Sequence, residues 1–198
     1  MDKRRIILAS GSPRRKQLLE QVGIPYEVIV SNVDETISGL PDVQVRDLAL
    51  RKANAVRNMI QGNAIIIAAD TLVYIDGQVL GKPDSPDDAF DMLQTLQGRC
   101  HTVYTGVAVL SIEAGKVSQQ AFVDATRVYF RSLSDTEIWA YIGTGEPFDK
   151  AGAYGVQDKG ALLVDRVEGD FFTVVGLPVA KLATALREIG VEVWGKQV

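Results

Sequence analysis

The run AIIIAA at residues 64–69 constrains the fold of this chain more than any other stretch, because it is the most apolar part of the sequence. An uninterrupted apolar strand has two hydrophobic faces, so it needs cover on both sides. Strands of that kind belong to sheets that are flanked by helices. The run therefore predicts a central strand of an α/β sheet, and the polar pair Asp70 and Thr71 is expected to end it.

The N-terminal stretch predicts a β-α-β opening. Residues 5–8 form a short apolar run that is typical of a buried strand, and residues 26–30 are typical of a second strand. Between them, Ser12 and Pro13 suit the N-cap and the first position of a helix, which Gly23 is expected to end.

Basic residues fill the first turn of that helix, where the helix dipole favours carboxylates. Arg14, Arg15 and Lys16 follow the Ser-Gly-Ser-Pro turn directly. Three adjacent cations are also common on a solvated surface, so the cluster alone does not decide between a solvated helix face and a site that binds an anion. The small residues and the free amides of a helix start favour a site that binds phosphate groups.

The remaining elements follow in mixed order. We expect helices over 42–59, from Ser85 to about 96, from Ser134 to 142, and from Pro178 onward. Strands are expected over 101–112 and 121–131, and hairpins at Asp76-Gly77 and between 161–167 and 171–175. Residues 143–160 are rich in glycine and are expected to be irregular. This order predicts an α/β fold: a mixed sheet flanked by helices, with a cleft between two lobes. We expect one domain over residues 1–198.

Composition limits the classes of function. The chain has 198 residues, is 46% hydrophobic and carries a net charge of −4, which argues against binding a nucleic acid polymer or an anionic membrane. No apolar run approaches the length that spans a bilayer, and the basic N-terminus precedes too few apolar residues for a signal peptide. With its single cysteine, Cys100, the chain is expected in the reducing cytoplasm.

Common catalytic motifs are absent from the sequence. There is no phosphate-binding loop of the form GxxxxGK[ST] and no GxGxxG motif. A zinc site of His and Cys ligands, or a Ser-His-Asp triad, would depend on His101, the one histidine, for which a structural role is favoured.

Carboxylates and lysines at the ends of elements are the remaining candidates for chemistry. Asp70 follows the apolar strand, and Glu35 follows an earlier strand, so both side chains could reach one edge of the sheet. Two carboxylates there would suit Mg²⁺ or Mn²⁺, although spacing alone does not show that they meet. Lys52 and Lys82 are either surface lysines or phosphate ligands. Lys82, between Gly81 and Pro83, is the better candidate for a phosphate ligand. Together these residues predict a metal-dependent enzyme that acts on a phosphorylated small molecule.

Five motifs in register carry a family resemblance. They are LASGSPRR at 8–15, VDE at 33–35, ADT at 69–71, GKP at 81–83 and DKAGAYGVQ at 149–157. In this order they resemble the Maf family, the septum-formation-inhibitor-like nucleoside triphosphate pyrophosphatases, over essentially the full chain.

The resemblance implies a metal-dependent hydrolase of nucleotide metabolism that converts a nucleoside triphosphate to the monophosphate and pyrophosphate. It also implies an elongated α/β fold with a deep cleft, similar to inosine triphosphatases, in a protein that is often a homodimer. By motif, Asp70 would accept the proton of the attacking water and Glu35 would help to bind the divalent metal. The main role of Asp70 could instead be that of a metal ligand, and a carboxylate bound to a metal is a poorer base. The triphosphate would be held by Ser10, Arg14, Arg15, Lys52 and Lys82.

The first and last motifs resemble the branch of the family that acts on dTTP and UTP. The branch that acts on 7-methyl-GTP usually has tryptophan where this chain has Arg14. Arg14, Thr71 and Gln157 are therefore the candidates for specificity, since the amide of Gln157 can match the O4 and N3–H edge of a pyrimidine. Two alternatives stay open: a non-catalytic nucleotide-binding regulator of cell division, and a 7-methyl-GTP pyrophosphatase.

Overall fold

The computed structural model describes residues 4–194, which form a mixed α/β fold. The strands are β1 Arg5–Leu8, β2 Glu27–Val28, β3 Ala64–Ile75, β4 Gln78–Leu80, β5 Cys100–Glu113, β6 Lys116–Phe130 and β7 Val164–Glu168. The α-helices are α1 Pro13–Gln21, α2 Pro41–Arg57, α3 Pro86–Leu96, α4 Asp135–Ile142, α5 Phe171–Val175 and α6 Val179–Glu188. Three 3-10 helices cover Glu146–Asp149, Ala151–Ala153 and Asp158–Leu163.

One sheet joins the seven strands of the described chain in the order β2-β1-β3-β5-β6-β7, with β4 paired to β3. β1 runs parallel to β2 and β3, whereas β4 is antiparallel to β3 and β7 is antiparallel to β6. The predicted mixed sheet flanked by helices is confirmed. The first six residues of β3 are all buried, as their apolar character predicts.

The chain divides into two compact units. The first contains the residues up to Asp70, Thr105–Val123 and the residues from Gly176 onward, and the second contains Thr71–Tyr104 and Asp124–Val175. Within residues 4–194, no helix has both the length and the apolar character needed to cross a membrane.

The core of the first unit brings α2 together with β1, β3 and β5. Its buried members are Ile7, Ala9, Ala49, Ala53, Val56, Ala64, Ile66, Ala68, Ala108 and Leu110. Ala49 and Ala53 lie one turn apart on α2, so the helix presents small side chains to the core. Small side chains allow the backbone of the helix to come close to the sheet.

Gly106 of β5 is required by this close approach. A Cβ atom at this position would lie 2.4 Å from the carbonyl carbon and oxygen of Val45 and 2.6 Å from the amide nitrogen of Arg46, both in α2. Backbone atoms cannot move aside as a flexible side chain can, so Gly106→Ala is expected to destabilise the protein by about 2–3 kcal/mol. Urea unfolding measures this loss. Gly81→Ala is the control, because no atom lies within 4 Å of its added Cβ, and an equal loss in both variants would contradict the explanation.

Several of the predicted strands differ from the structure in extent or type, and β6 begins at Lys116 instead of residue 121. β3 does not end before Asp70 but continues through Asp70 and Thr71 to Ile75. The neighbour of β3 changes along its length, since β1 pairs with it up to Ile67 and β4 pairs with it from Val73. Asp70 therefore lies between the part of β3 that pairs with β1 and the part that pairs with β4.

The other two differences have local causes. β2 has two residues, Glu27–Val28, instead of the predicted five, and it is an edge strand with a single neighbour. Residues 171–175 form helix α5, because Asp170 starts a helix: its carboxylate accepts from the amide of Phe172 at 2.9 Å, and its carbonyl accepts from the amide of Thr173 at 3.1 Å. β7 pairs with β6 instead of forming the predicted local hairpin.

Candidate active site

Arg15 and Ser10 join the end of β1 to the start of α1. Arg15 donates from Nη1 to the hydroxyl of Ser10 at 3.0 Å and from Nε to the carbonyl of Gly176 at 2.9 Å. The same hydroxyl accepts from the amide of Ser12 at 3.3 Å. Ser12 makes no side-chain cap to the helix, so the first amides of α1 donate no hydrogen bond to its hydroxyl. The helix start thus has the groups that can bind an anion: amides without a side-chain cap and a fixed guanidinium beside them.

Lys52 brings the two predicted carboxylates together. Its Nζ lies 2.8 Å from Oδ1 of Asp70 and 2.7 Å from Oε1 of Glu35. The side chains of Lys52 and Asp70 are 14% and 17% exposed, whereas Glu35 is 62% exposed. One ammonium contacts both carboxylates, so these groups are close enough to share a single cation.

The loop that carries Glu35 is held by two hydrogen bonds. The carboxylate of Asp34 accepts from the amide of Thr36 at 2.8 Å, and this hydrogen bond lowers the pKa of Asp34. Arg51 of α2 donates to the carbonyl of Asp34 at 2.6 Å. Neighbouring residues of one helix therefore perform two tasks, because Arg51 holds the loop while Lys52 contacts the carboxylates. No sequence pattern points to Arg51 beyond its place next to Lys52.

Arg15 lies within electrostatic reach of the same carboxylates. Its partial burial lowers the pKa of the guanidinium, and the negative charges of Asp70 and Glu35 oppose that shift. The nearby charge of Arg14 lowers the pKa further. Two arginines, one lysine and two carboxylates thus form one charged cluster in the first unit. Such a cluster can bind an anion and a hard cation together.

The other three predicted site residues belong to the second unit. Thr71 follows Asp70 within β3, Lys82 is exposed just after β4, and Gln157 is partly buried directly before the 3-10 helix Asp158–Leu163. Two of the sequence motifs meet here, since the amide of Gly152 donates to the carbonyl of Gly81 at 2.9 Å. The structure therefore joins the loop of Lys82 to the stretch that leads to Gln157.

His101 is a core residue of the second unit. It is 2% exposed, and its Nε2 shares a hydrogen bond of 2.7 Å with the hydroxyl of Tyr154. The rings of Phe130 and Tyr154 pack against it edge to face. The structural role expected for this histidine is confirmed.

Burial lowers the pKa of His101 to about 4, which makes stability depend on pH. The unfolded chain binds a proton at this histidine below about pH 6.5, whereas the folded chain binds it only near pH 4. The free energy of unfolding therefore decreases as the pH falls between these values. Wild type is expected to lose about 3 kcal/mol more than His101→Gln between those pH values. Urea unfolding from pH 7 to pH 4 checks this difference, and parallel curves for the two proteins would refute it.

The site contains some, but not all, of the ligands that a divalent metal ion needs. Glu35 and Asp70 supply the oxygen ligands that Mg²⁺ and Mn²⁺ prefer, and Mg²⁺ commonly binds through one or two carboxylates with water and phosphate oxygens. Among residues 4–194 there is no group of three or more His, Cys, Asp or Glu side chains arranged to hold a metal. The residues therefore fit a metal that the substrate helps to bind.

Comparison with known proteins gives the family. The partly buried carboxylate of Asp70 contacts the ammonium of Lys52 and lies within electrostatic reach of Arg15 at the start of α1, and such an arrangement can stabilise the charges of a phosphorylated substrate. The family model described as "Maf-like protein" matches residues 5–189, and the chain belongs to this family.

Curated relatives match along nearly the whole chain. A protein of Caldanaerobacter subterraneus subsp. tengcongensis is 48% identical over 97% of this chain and 93% of its own length. One from Moorella thermoacetica is 48% identical, covering 97% and 98%, and one from Bacillus cereus is 46% identical, covering 96% and 98%. All three relatives are named dTTP/UTP pyrophosphatase. Among solved structures, the Ham1 protein of Staphylococcus aureus aligns with a TM-score of 0.44 and 16% identity over 64% of this chain and 72% of that chain.

Proposed function

We propose that this protein is a metal-dependent nucleoside triphosphate pyrophosphatase that favours dTTP and UTP. The observation that carries the proposal is the single ammonium of Lys52 between Asp70 and Glu35. It lies in the same unit as the anion-binding turn of Ser10 and Arg15. The names of the relatives, which match nearly the full chain, support the choice of reaction and substrate.

The reaction breaks the anhydride bond between the α- and β-phosphates. Water supplies the oxygen, and the products are the nucleoside monophosphate and pyrophosphate. In this proposal Asp70 takes the proton of the water, while Arg14, Arg15, Lys52 and Lys82 neutralise the triphosphate. Ser10 orients Arg15 through the hydrogen bond between their side chains.

Glu35 and Asp70 would hold the divalent metal, Mg²⁺ or Mn²⁺. A bound metal neutralises phosphate charge and lowers the pKa of a water molecule. Metal binding would place a second cation beside the carboxylates that Lys52 now contacts. The ammonium would then be available to the phosphates, which carry the larger negative charge.

Base selection is assigned to Arg14, Thr71 and Gln157. The amide of Gln157 offers one donor and one acceptor group, which match the O4 and N3–H groups of uracil and thymine. Cytosine has its donor and acceptor groups reversed at these positions, so a fixed amide would discriminate against it.

The test is pyrophosphate release from dTTP, UTP, CTP, GTP and 7-methyl-GTP, with Mg²⁺, with Mn²⁺ and with EDTA. Release of pyrophosphate, without free phosphate, from dTTP and UTP in the presence of metal is the expected result. Preference for 7-methyl-GTP would place the protein in the other branch. Binding of nucleotide without hydrolysis would favour a regulator of cell division.

Several expectations stay predictions. They are a cytoplasmic location, a homodimer, the organisation of residues 1–198 as one domain, the likeness to inosine triphosphatase folds and a link to septum formation. Binding of a nucleic acid polymer or a membrane is not expected.

A further inference from the structure

One carboxylate of the second unit closes the segment 155–160, in which Gln157 lies. Glu146 accepts at Oε2 from the amide of Lys159 at 3.2 Å and at Oε1 from the amide of Gly160 at 3.1 Å. These amides lie two and three residues after Gln157. Hydrogen bonds to a charged acceptor are stronger than neutral ones, so this end of the segment is firmly held.

Tyr141 links Glu146 to the other end of the segment. Its hydroxyl donates to Oε1 of Glu146 at 3.0 Å and accepts from the amide of Gly155 at 3.2 Å. Burial raises the pKa of Tyr141, so its hydroxyl keeps the proton that it donates. Glu146 is therefore connected to both ends of the segment, directly at one and through Tyr141 at the other.

Close backbone contact leaves the segment little freedom. A Cβ atom on Gly160 would lie 1.9 Å from the carbonyl oxygen of Gly155, so the two ends touch each other. Asp158, next to Gln157, has a positive φ of 52°, a conformation that costs energy for a residue other than glycine. The hydrogen bonds of Glu146 hold the two amides that directly follow this residue.

The charge of Glu146 is needed because its two oxygens accept three hydrogen bonds. A glutamine at this position has one acceptor oxygen, and its NH₂ group would face an amide donor. The carboxylate therefore restrains both ends of the segment that contains residue 157.

We propose that Glu146 is a positioning residue for base recognition, which holds Gln157 in one orientation through the backbone of residues 155–160. The inference rests on the proposed function, in which Gln157 contacts the base. Glu146 then governs discrimination among nucleotides through KM. Cleavage of the phosphate anhydride depends on the charged cluster of the first unit, so kcat for dTTP changes little.

The first test is kinetic and uses kcat/KM for dTTP and for CTP. Glu146→Ala is expected to lower the preference for dTTP about tenfold, mainly through KM, and Glu146→Gln is expected to lower it by a smaller factor. Asp165→Asn is the matched control, since it removes an exposed carboxylate of the same unit. A double-mutant cycle with Gln157→Ala tests whether Glu146 acts through Gln157. In the Gln157→Ala background, Glu146→Ala should leave the preference for dTTP over CTP unchanged. Additive losses, or an unchanged preference in Glu146→Ala, would overturn the proposal.

The second test needs no nucleotide. Hydrogen exchange at the amides of Gly155, Lys159 and Gly160 is expected to be at least about tenfold faster in Glu146→Ala than in wild type, with unchanged exchange in the strands. Unchanged exchange at the three amides would disprove the positioning geometry. Absence of hydrolysis by wild type would instead disprove the proposed function and, with it, the role in base recognition.

Discussion

Asp70→Asn is expected to lower kcat for dTTP by about 10³-fold, because it removes the proposed proton acceptor and one of the two carboxylates proposed to bind the metal. The substitution keeps the shape of the side chain, and its amide oxygen can still accept from Lys52, which lies 2.8 Å from Oδ1. The fold is therefore expected to survive, and the loss falls on the reaction itself.

Pyrophosphate release measures kcat, and calorimetric titration with a non-hydrolysable dTTP analogue measures binding. Binding of the analogue is expected to change far less than kcat. Asp47→Asn serves as the control, because Asp47 forms a surface ion pair with Arg46 on the neighbouring position of α2. More than a tenth of wild-type kcat in Asp70→Asn would rule out Asp70 as the proton acceptor.

Much of the fold was predictable because its signals are local. The apolar run of β3 predicted a strand with two covered faces, and the Ser85 and Ser134 caps predicted the starts of α3 and α4. Both serines accept from the amide three residues on, as this type of cap requires. The Asp76-Gly77 turn predicted the hairpin of β3 and β4, and both residues have positive φ.

The errors have different causes. The apolar run and the first arm of the Asp76-Gly77 hairpin were predicted as separate strands, because Asp70 and Thr71 were expected to end the run, but one strand, β3, spans both. The stretch 171–175 has the β-branched and aromatic residues of a strand, but β7 takes the place beside β6 and Asp170 starts a helix. In residues 171–175, strand propensity is overridden by the pairing of β7 with β6 and by the helix start at Asp170.

In the candidate site, too, some features have sequence signals and others depend on contacts made in the folded structure. Asp70 was found from a local signal and Lys52 was assigned from the family resemblance, but their contact depends on the packing of α2. Ala49 and Ala53 are buried in the core, so Lys52, three residues after Ala49, lies at the border of the buried face. That border position explains how a lysine reaches a carboxylate on the sheet. The loop contact of Arg51 and the network of Glu146 have no comparable sequence signal, since their acceptors and donors are backbone groups.

Lys52→Met is expected to lower turnover of dTTP by about 10²-fold and to strengthen binding of Mn²⁺ to the nucleotide-free protein about tenfold. The two effects have opposite signs because the ammonium has two competing tasks. It supplies positive charge for the triphosphate, yet in the nucleotide-free protein it contacts both carboxylates, at 2.7 and 2.8 Å, that would hold a metal. Methionine keeps much of the length of the side chain without its charge, so Glu35 and Asp70 regain their attraction for a metal ion.

Electron paramagnetic resonance of free Mn²⁺ measures metal binding without catalysis, and pyrophosphate release measures turnover. Lys116→Met, at the exposed start of β6, removes the same charge elsewhere in the first unit and should alter neither quantity by more than about twofold. Weaker Mn²⁺ binding in Lys52→Met would mean that the lysine organises the carboxylates for the metal instead of competing with it. Unchanged turnover would remove Lys52 from the phosphate-binding group. Only the opposite changes together support a cation that exchanges between the carboxylates and the substrate.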